Sequence, residues 1–496
     1  MRSYLLALRS LAKGRRNFRR VFRFNQNPSL YRLLALSGAN VRRLFSGNHL
    51  ILGKSGARHR KRDKLPKMAT RQVQSLLFPS ETDTQVSLSS SSTFVPNMGL
   101  PVHRWFRYSA GFAAEWAESV IKSMSGTVRV FDPFAGSGTT LLAAEAARVE
   151  SWGLEAHPFV WRVARAKLSW RTDAEAYLRK IELLKSVAKT MKPDVAACPP
   201  LIRRCYEDES LKQLDVLRQA YEKIRDDSPA SELTWMTLVA ILRKVSTAGT
   251  AQWQYILPKK QKRLPADVTA AFERCVHLVY HDMRLGESLS GPRATLLLGD
   301  ARTCESVPKH FANLVLTSPP YPNNYDYADA TRLEMSFMRE INGWGDLQDS
   351  VRKYLVRSCS QHVPEKSVDL YEILNAPELS PIRPEITRVC EELAEVRESK
   401  GGRKTYHLMI ACYFRDLALT WKSLRSVCDS PSRVCFVIGD SAPYGIYVPV
   451  IPWLGALALS AGFKSYTFEK TRDRNVKWKN RKHRVPLQEG QLWIEG

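Results

Sequence analysis

Thr127-Val-Arg-Val-Phe-Asp-Pro-Phe-Ala-Gly-Ser-Gly-Thr-Thr140 decides the fold. Thr127–Phe131 has the apolar, β-branched character of a buried strand, and Leu141–Ala147 continues as helix. Glu150-Ser-Trp-Gly-Leu-Glu155 repeats the strand signal and Val160–Leu168 the helical one. Strand, helix, strand, helix on so short a length implies a parallel sheet with helices packed on it. Further along, Ala294–Asp300, Asn313–Thr317 and Val434–Ile438 read as strands. Tyr406–Val427 and Pro452–Ala461 read as helices, and Phe463–Phe468 with Gln491–Ile494 as a closing hairpin.

The gaps between these strands are too long to be loops of a compact sheet, so they are expected to be insertions with structure of their own. Residues 172–290 read as helical and charged, with helices over Ala174–Met191, Asp208–Arg225, Ser231–Arg243 and Asp267–Leu285, and an aromatic-then-basic loop over Ala251–Arg263. Residues 336–404 read as polar and helical. Folded sequence is expected from about Leu100, where the aromatic cluster His103–Tyr108 precedes Phe112, Trp116 and Val120 at helical spacing. The division that follows is 1–67 basic extension, 68–98 linker, 99–171, 291–335 and 405–496 as three parts of one sheet domain, and 172–290 and 336–404 as insertions.

The chain has 496 residues and a net charge of +26. That excess is concentrated: residues 1–67 hold 18 Lys/Arg against one acid, Asp63, a net +17, which leaves +9 for the remainder. A moderately basic folded part fits a polyanion-binding protein without requiring one. The extension has three readings, a mitochondrial transit peptide with a cleavage-like Arg43-Leu-Phe-Ser46, a basic tail, or sequence ahead of a true start at Met68. Nine cysteines at irregular spacing, with no CxxC, argue against a disulfide framework or zinc site and for an intracellular protein, cytoplasmic unless the extension is a transit peptide. No uninterrupted apolar run reaches membrane-spanning length; Ile446–Phe463 comes closest and is read as a core helix.

At the carboxyl end of a parallel strand the chain must turn sharply, and Gly136 and Gly138 let the backbone approach a ligand there. A phosphate loop wants Gly-Lys-Ser/Thr, where this chain has Gly138-Thr139-Thr140; a dinucleotide loop wants a third glycine, where it has Leu141. The remaining candidate is S-adenosylmethionine (SAM). Asp132 is placed to receive its ammonium, directly or through water, Glu155 its ribose hydroxyls and Asp300 its adenine amino group, and a side chain at Gly138 is expected to fill its space. A second block, Ser318-Pro319-Pro320-Tyr321, presents stiff carbonyls at a strand end beside a hydroxyl and an aromatic ring.

Together these blocks resemble the amino-directed DNA methyltransferases, most closely the cytosine-N4 group. Asp132, Pro133, Phe134, Ala135, Gly136, Ser137, Gly138, Thr139 and Thr140 match the family's SAM loop, and Thr317–Tyr321 its catalytic motif in the serine form. Pro322–Glu334 is similar to the continuation found in bacterial members, His103–Trp116 to the segment covering the methionine end, and Gly439-Asp-Ser441 to a strand-end motif lining the base pocket. The resemblance implies a doubly wound, Rossmann-like class I α/β methyltransferase sheet, with SAM as cofactor and DNA as partner. Adenine N6 as target, RNA as substrate, and a noncatalytic binding protein on the same scaffold are the alternatives. No metal and no membrane partner is called for, and the sequence sets no oligomeric state.

In that chemistry Ser318 and Pro319 accept from a base amino group and orient its lone pair. The base is flipped out of duplex to be reached, and Tyr321 and Tyr325 stack on it. Arg472, Arg474, Lys477 and Lys479, in the basic stretch Thr471–Arg484, are expected to contact nucleic acid. Target choice is assigned chiefly to 336–404, with help from 172–290.

Overall fold

A computed structural model describes residues 94–108, 111–251, 254–262, 264–364, 368–402, 404–474 and 485–496. The basic extension, the linker up to residue 93, Trp253, Arg263, Lys477 and Lys479 lie outside the described residues.

Seven strands form the central sheet: β1 Arg129–Asp132, β2 Glu150–Glu155, β5 Thr295–Leu298, β6 Ala312–Thr317, β7 Cys428–Gly439, β8 Ser465–Arg474 and β9 Leu487–Glu495. Their order is β5-β2-β1-β6-β7-β9-β8. β5, β2, β1, β6 and β7 run parallel, while β9 is antiparallel to both β7 and β8. A separate hairpin joins β3 Ala248–Thr250 to β4 Ile256–Gln261.

The two-residue alternation of the strands sorts their side chains onto two cores. Val130, Leu314, Leu316, Cys435 and Val437 face α1 Ala114–Ser123 and α2 Thr139–Ala147. Phe131, Val315, Val434, Phe436 and Ile438 face the other way, onto α9 Tyr406–Val427 and α10 Val450–Ser460. Full burial of each such side chain stabilises the fold by roughly 1.5–3 kcal/mol, so register is strongly specified. A mostly parallel sheet covered by helices on both faces is the Rossmann-like methyltransferase architecture. Among the described residues, no helix is long and apolar enough to cross a membrane.

The stretch between β2 and β5 supplies α3 Pro158–Leu168, α4 Ala174–Ala188, α5 Asp208–Ile224, α6 Pro229–Val245 and α7 Val268–Gly286. These helices share one core with Trp105, Phe159 and the segment Ala328–Leu355. Between β6 and β7 the longest helix before α9 is α8 Arg383–Ser399.

Two local expectations change. Packed structure begins before Leu100: Phe94 and Asn97 are buried, and the Asn97 side chain donates to Phe112 O and accepts from Ala114 N at the start of α1. The stretch read as a loop over Ala251–Arg263 is partly strand, because Ile256–Gln261 pairs with Ala248–Thr250. Its mixed composition hid a pairing partner that precedes the aromatic turn.

Candidate active site

β1 connects outward to β2 and β5, whereas β6 connects the other way to β7, so the chain's direction across the sheet reverses between β1 and β6. Ligands of open α/β sheets bind in the crevice outside the strand ends at such a point. The residues leaving these two strands are Pro133-Phe134 and Ser318-Pro319-Pro320. Both blocks picked out by sequence therefore meet at one place.

Asp132 builds the turn. It is buried, and its Oδ1 accepts from Phe134 N (3.0 Å) and Thr317 Oγ1 (2.5 Å), its Oδ2 from Thr140 Oγ1 (2.6 Å). The Thr317 bond crosses from β6 to β1 and so clamps the switch point. Burial raises the Asp132 carboxyl to about 6 against the lowering effect of these hydrogen bonds. Asp132, expected to receive a ligand ammonium directly or through water, thus also locks the loop through its protein partners.

The two glycines divide the work. Both hold positive φ, 53° at Gly136 and 87° at Gly138, where a side chain is strained. A Cβ on Gly136 would stand 3.5 Å from the Tyr108 ring, at the cleft; on Gly138 it would stand 3.4 Å from Ala164 Cβ, on α3. Gly138 serves helix packing, so the expectation that a side chain there fills ligand space is corrected to Gly136. Ala135, Ser137, Thr139 and Thr140 are buried behind the loop, and Ala135 N donates to Leu154 O.

A cleft opens above these elements; the empty space in it, part of it open to solvent, is about 620 Å³. Pro133, Phe134, Gly136, Glu155 and Asp300 line it, together with Ser318 and Pro320. Glu155 accepts from Gly136 N (2.7 Å) and His157 N (2.8 Å). Burial pushes its carboxyl up to about 7, with the nearby Asp132 charge adding to the rise. Each oxygen keeps acceptor capacity after one such bond. Asp300 is held in a fork by Arg302, whose Nε lies 3.0 and 2.9 Å from Oδ1 and Oδ2.

Ser318 donates its hydroxyl hydrogen to Val437 O on β7 (3.1 Å). With its proton committed to the sheet, the oxygen is free to accept, which is what a ligand amino group requires. Pro319 is buried; Tyr321 is half-buried, with the Arg474 guanidinium 5.3 Å from its ring centre. Ser441 of the Gly439-Asp-Ser motif donates to Pro322 O (2.5 Å), tying β7's end to the same loop.

Three expected nucleic-acid contacts are placed otherwise. Arg472 and Arg474 both pair with Glu489, at 2.7 and 3.4 Å, and Arg474 also donates to Asp440 O. They share this one carboxylate, which the β8–β9 register sets opposite Arg472, and Arg474 also lies over Tyr321. Tyr325 does not line the cleft: it is buried between Tyr255 (5.5 Å between ring centres) and Tyr327 (4.5 Å). Tyr327, two residues on, lines the cleft instead.

The sequence did not single out His157, Tyr327 or Tyr354-Leu355-Val356 as cleft residues, yet all line it. Burial holds the His157 imidazole down at about 3, so it is neutral, with Nε2 3.0 Å from Thr331 Oγ1. Tyr108 lay inside a recognised aromatic cluster, but only the fold shows which ring of that cluster meets Gly136.

No protein-family model matches the chain. It is similar to curated type II methyltransferases: M.AvaI of Nostoc sp., 25% identical over 403 residues covering 75% of this chain and 81% of the relative; M.AvaI of Anabaena variabilis, with the same identity and coverage; and M.BsoBI of Geobacillus stearothermophilus, 22% identical over 440 residues covering 80% of this chain and 86% of the relative.

Proposed function

We propose that this chain is a SAM-dependent DNA methyltransferase that methylates an exocyclic base amino group, cytosine N4, as the modifying member of a restriction–modification pair. The observation that carries the reading is one cleft lined at once by the glycine loop, Glu155 and Asp300, and by Ser318 and Pro320. The similarity to type II methyltransferases supports the same reaction. The serine form of the Ser318–Tyr321 block supports cytosine N4 over adenine N6.

The donor set fits SAM. The Gly136 backbone, held at positive φ, faces the cleft beside the Tyr108 ring, Glu155 keeps acceptor capacity for ribose hydroxyls, and Asp300 keeps it for an adenine amino group. Bound there, SAM supplies an electrophilic methyl group. The chain's part is orientation. The Ser318 oxygen and a Pro319 carbonyl accept the amino hydrogens of a flipped base, directing the nitrogen lone pair toward the cleft. Tyr321, braced by Arg474, offers the base a ring. No cysteine nucleophile is used; Cys359, whose thiol donates to Asn324 O, is buried and pushed up to about 12.

The test is mass spectrometry of nucleosides after incubation with isotopically labelled SAM and separate DNA and RNA pools. N4-methylcytosine from the DNA pool is expected. N6-methyladenine would move the target, label in RNA alone would move the substrate, and no labelled nucleoside would reject the reading.

A further inference from the structure

The segment Arg352–His362, from the stretch expected to read the target sequence, crosses the cleft as a strap. Tyr354, Leu355 and Val356 line the cavity on the side of Asp300 and Ala301. Tyr354 is 44% exposed, with Lys353 Nζ 5.1 Å from its ring centre.

The strap is tied down along its whole length. Arg352 pairs with Asp326 (2.7 Å) and lies over the Trp344 ring. Arg302, which forks Asp300, also donates to Tyr354 O (3.3 Å). Arg357 donates through its backbone and its guanidinium to Asp416 on α9 (3.0 and 2.5 Å). Ser360 donates to Asn324 Oδ1, Asn324 N donates to Ser358 O, and His362 Nε2 lies 3.3 Å from Asp326 Oδ1.

Asp326 is the junction. It caps the turn Tyr327–Ala330 by accepting from Ala328 N and Asp329 N, holds Arg352 and His362, and its own N–H donates to Tyr255 Oη (2.7 Å) at the tip of the β3–β4 hairpin. Both long insertions therefore meet the loop after Ser318–Tyr321 at one residue, the first at its backbone N–H and the second at its carboxylate. Burial would raise that carboxyl, but the hydrogen bonds from His362 and Arg352 and the Arg352 charge hold it well below the usual range.

Asp326, Cys359 and His362 have the proximity of a metal trio, their candidate atoms lying within 4.8 Å of one another. The Arg352 guanidinium puts a fixed positive charge on the same carboxylate, and burial keeps the Cys359 thiol protonated. This chemistry suits a tether and opposes a cation.

We propose that Tyr354 contacts the purine end of the cofactor and that Asp326 is a positioning residue which, through Arg352 and His362, holds the strap carrying Tyr354 against it. The inference rests on the cleft being the SAM site. A planar purine amino group beside Asp300 brings its ring under Tyr354, and the apolar lip of Leu355 and Val356 excludes water from that edge. The strap then has cofactor on one side and the catalytic loop on the other, so each orders the other.

Titration calorimetry with SAM tests it. Tyr354→Ala is expected to weaken SAM binding about tenfold, as loss of one stacking surface does, and Tyr354→Phe to stay within about twofold. Asp326→Asn is expected to weaken SAM about fivefold, at the low end of site-to-site coupling. In the Asp326→Asn, Tyr354→Ala double variant the loss should be no greater than for Tyr354→Ala alone, because both act through one contact. In turnover the losses should appear in the SAM KM rather than in kcat. Arg352→Lys, which keeps the charge and loses the fork, tests the tether if Asp326→Asn does not fold. Additive losses, or a lowered melting temperature with unchanged SAM affinity, would reduce Asp326 to a structural role and overturn its part of the proposal. If wild type binds SAM and Tyr354→Ala binds it equally well, the strap inference falls and the cleft reading stands; if wild type binds no SAM, the cleft reading itself fails.

Discussion

The two walls of the cleft are built on different principles. The wall from Asp132 to His157 is mostly local: Asp132 is held by Phe134 N and Thr140, with Thr317 at the end of β6 as its one distant partner, and Glu155 is held by Gly136 N and His157 N. The wall from Ser318 to Tyr327 is assembled from afar, with Val437, Arg474, Tyr255, Arg352 and His362 all bonded to it or packed on it. A local wall is set when one strand–turn–helix unit forms. An assembled wall exists only when the whole sheet and both insertions are in place, which makes it adjustable by segments remote from the chemistry.

If that contrast holds, the largest effect should come from the assembled wall, and in rate. Ser318→Ala removes the acceptor whose proton is committed to Val437 O. Single-turnover methyl transfer should fall by roughly 100- to 1,000-fold, the scale for one well-placed polar contact made in the transition state. SAM affinity should stay within about threefold by calorimetry. Parallel loss of SAM binding would mean that the two walls are not separable.

The local wall should fail in stability instead. Asp132→Ala strands the Phe134 amide and two threonine hydroxyls in a buried site. Each unsatisfied group costs about 1–3 kcal/mol, and Thr140 can fall back on Leu316 O, so a net loss of about 2–4 kcal/mol is expected in urea unfolding. A variant as stable as wild type would show that the clamp between β1 and β6 is redundant.

Locality also explains what was legible. The Asp132–Thr140 block and Glu155 lie in one βαβ unit, where turn chemistry and strand ends follow from adjacent residues, and the parallel sheet with its closing hairpin followed from alternation and spacing. Ser318 carried a motif because its chemistry is confined to four residues. Tyr327 was missed in favour of Tyr325 because the two differ only in which side of the Asp326-capped turn they occupy, and that is set by Tyr255 and Arg352, 70 residues before and 25 residues after Tyr327 at the least. Arg472 and Arg474 looked free because Glu489 reaches them only through the β8–β9 pairing. Tyr354 had no sequence signal, since a strap is defined by its anchors.

A finer cut through the local wall uses its two glycines. Gly138→Ala and Gly136→Ala both force alanine into the left-handed region, at a cost of roughly 1–2 kcal/mol each. Only the Gly136 methyl would point at Tyr108 in the cleft; the Gly138 methyl would meet Ala164. Calorimetry should therefore show weakened SAM binding for Gly136→Ala and near-normal binding for Gly138→Ala, at similar losses of melting temperature. Equal effects on SAM affinity would erase the division of labour between them.

The smallest expected effect is a pH dependence seated on Glu155. Burial raises its carboxyl from 4.5 to about 7, so between those values the folded apoprotein holds a proton that the unfolded chain has released. The sign follows: this group makes the apoprotein lose stability as pH rises from about 4.5 to 7, with no further change above. Ribose hydroxyls donate to the ionised form, so SAM binding should release that proton and strengthen as pH rises through 7. A gain of about fivefold between pH 6 and 8 corresponds to a shift of about one pKa unit on binding. SAM carries its own titrating amine, so the quantity to compare is the difference between wild type and Glu155→Gln, which keeps the acceptor oxygen and cannot ionise. The pH-dependent component should vanish in that variant, and calorimetry in buffers of different ionisation enthalpy should show proton release at pH 6.5 from wild type alone. Identical pH profiles for the two proteins would mean that Glu155 does not change its ionisation when SAM binds, and would leave it as a brace for Gly136 and His157 within the local wall.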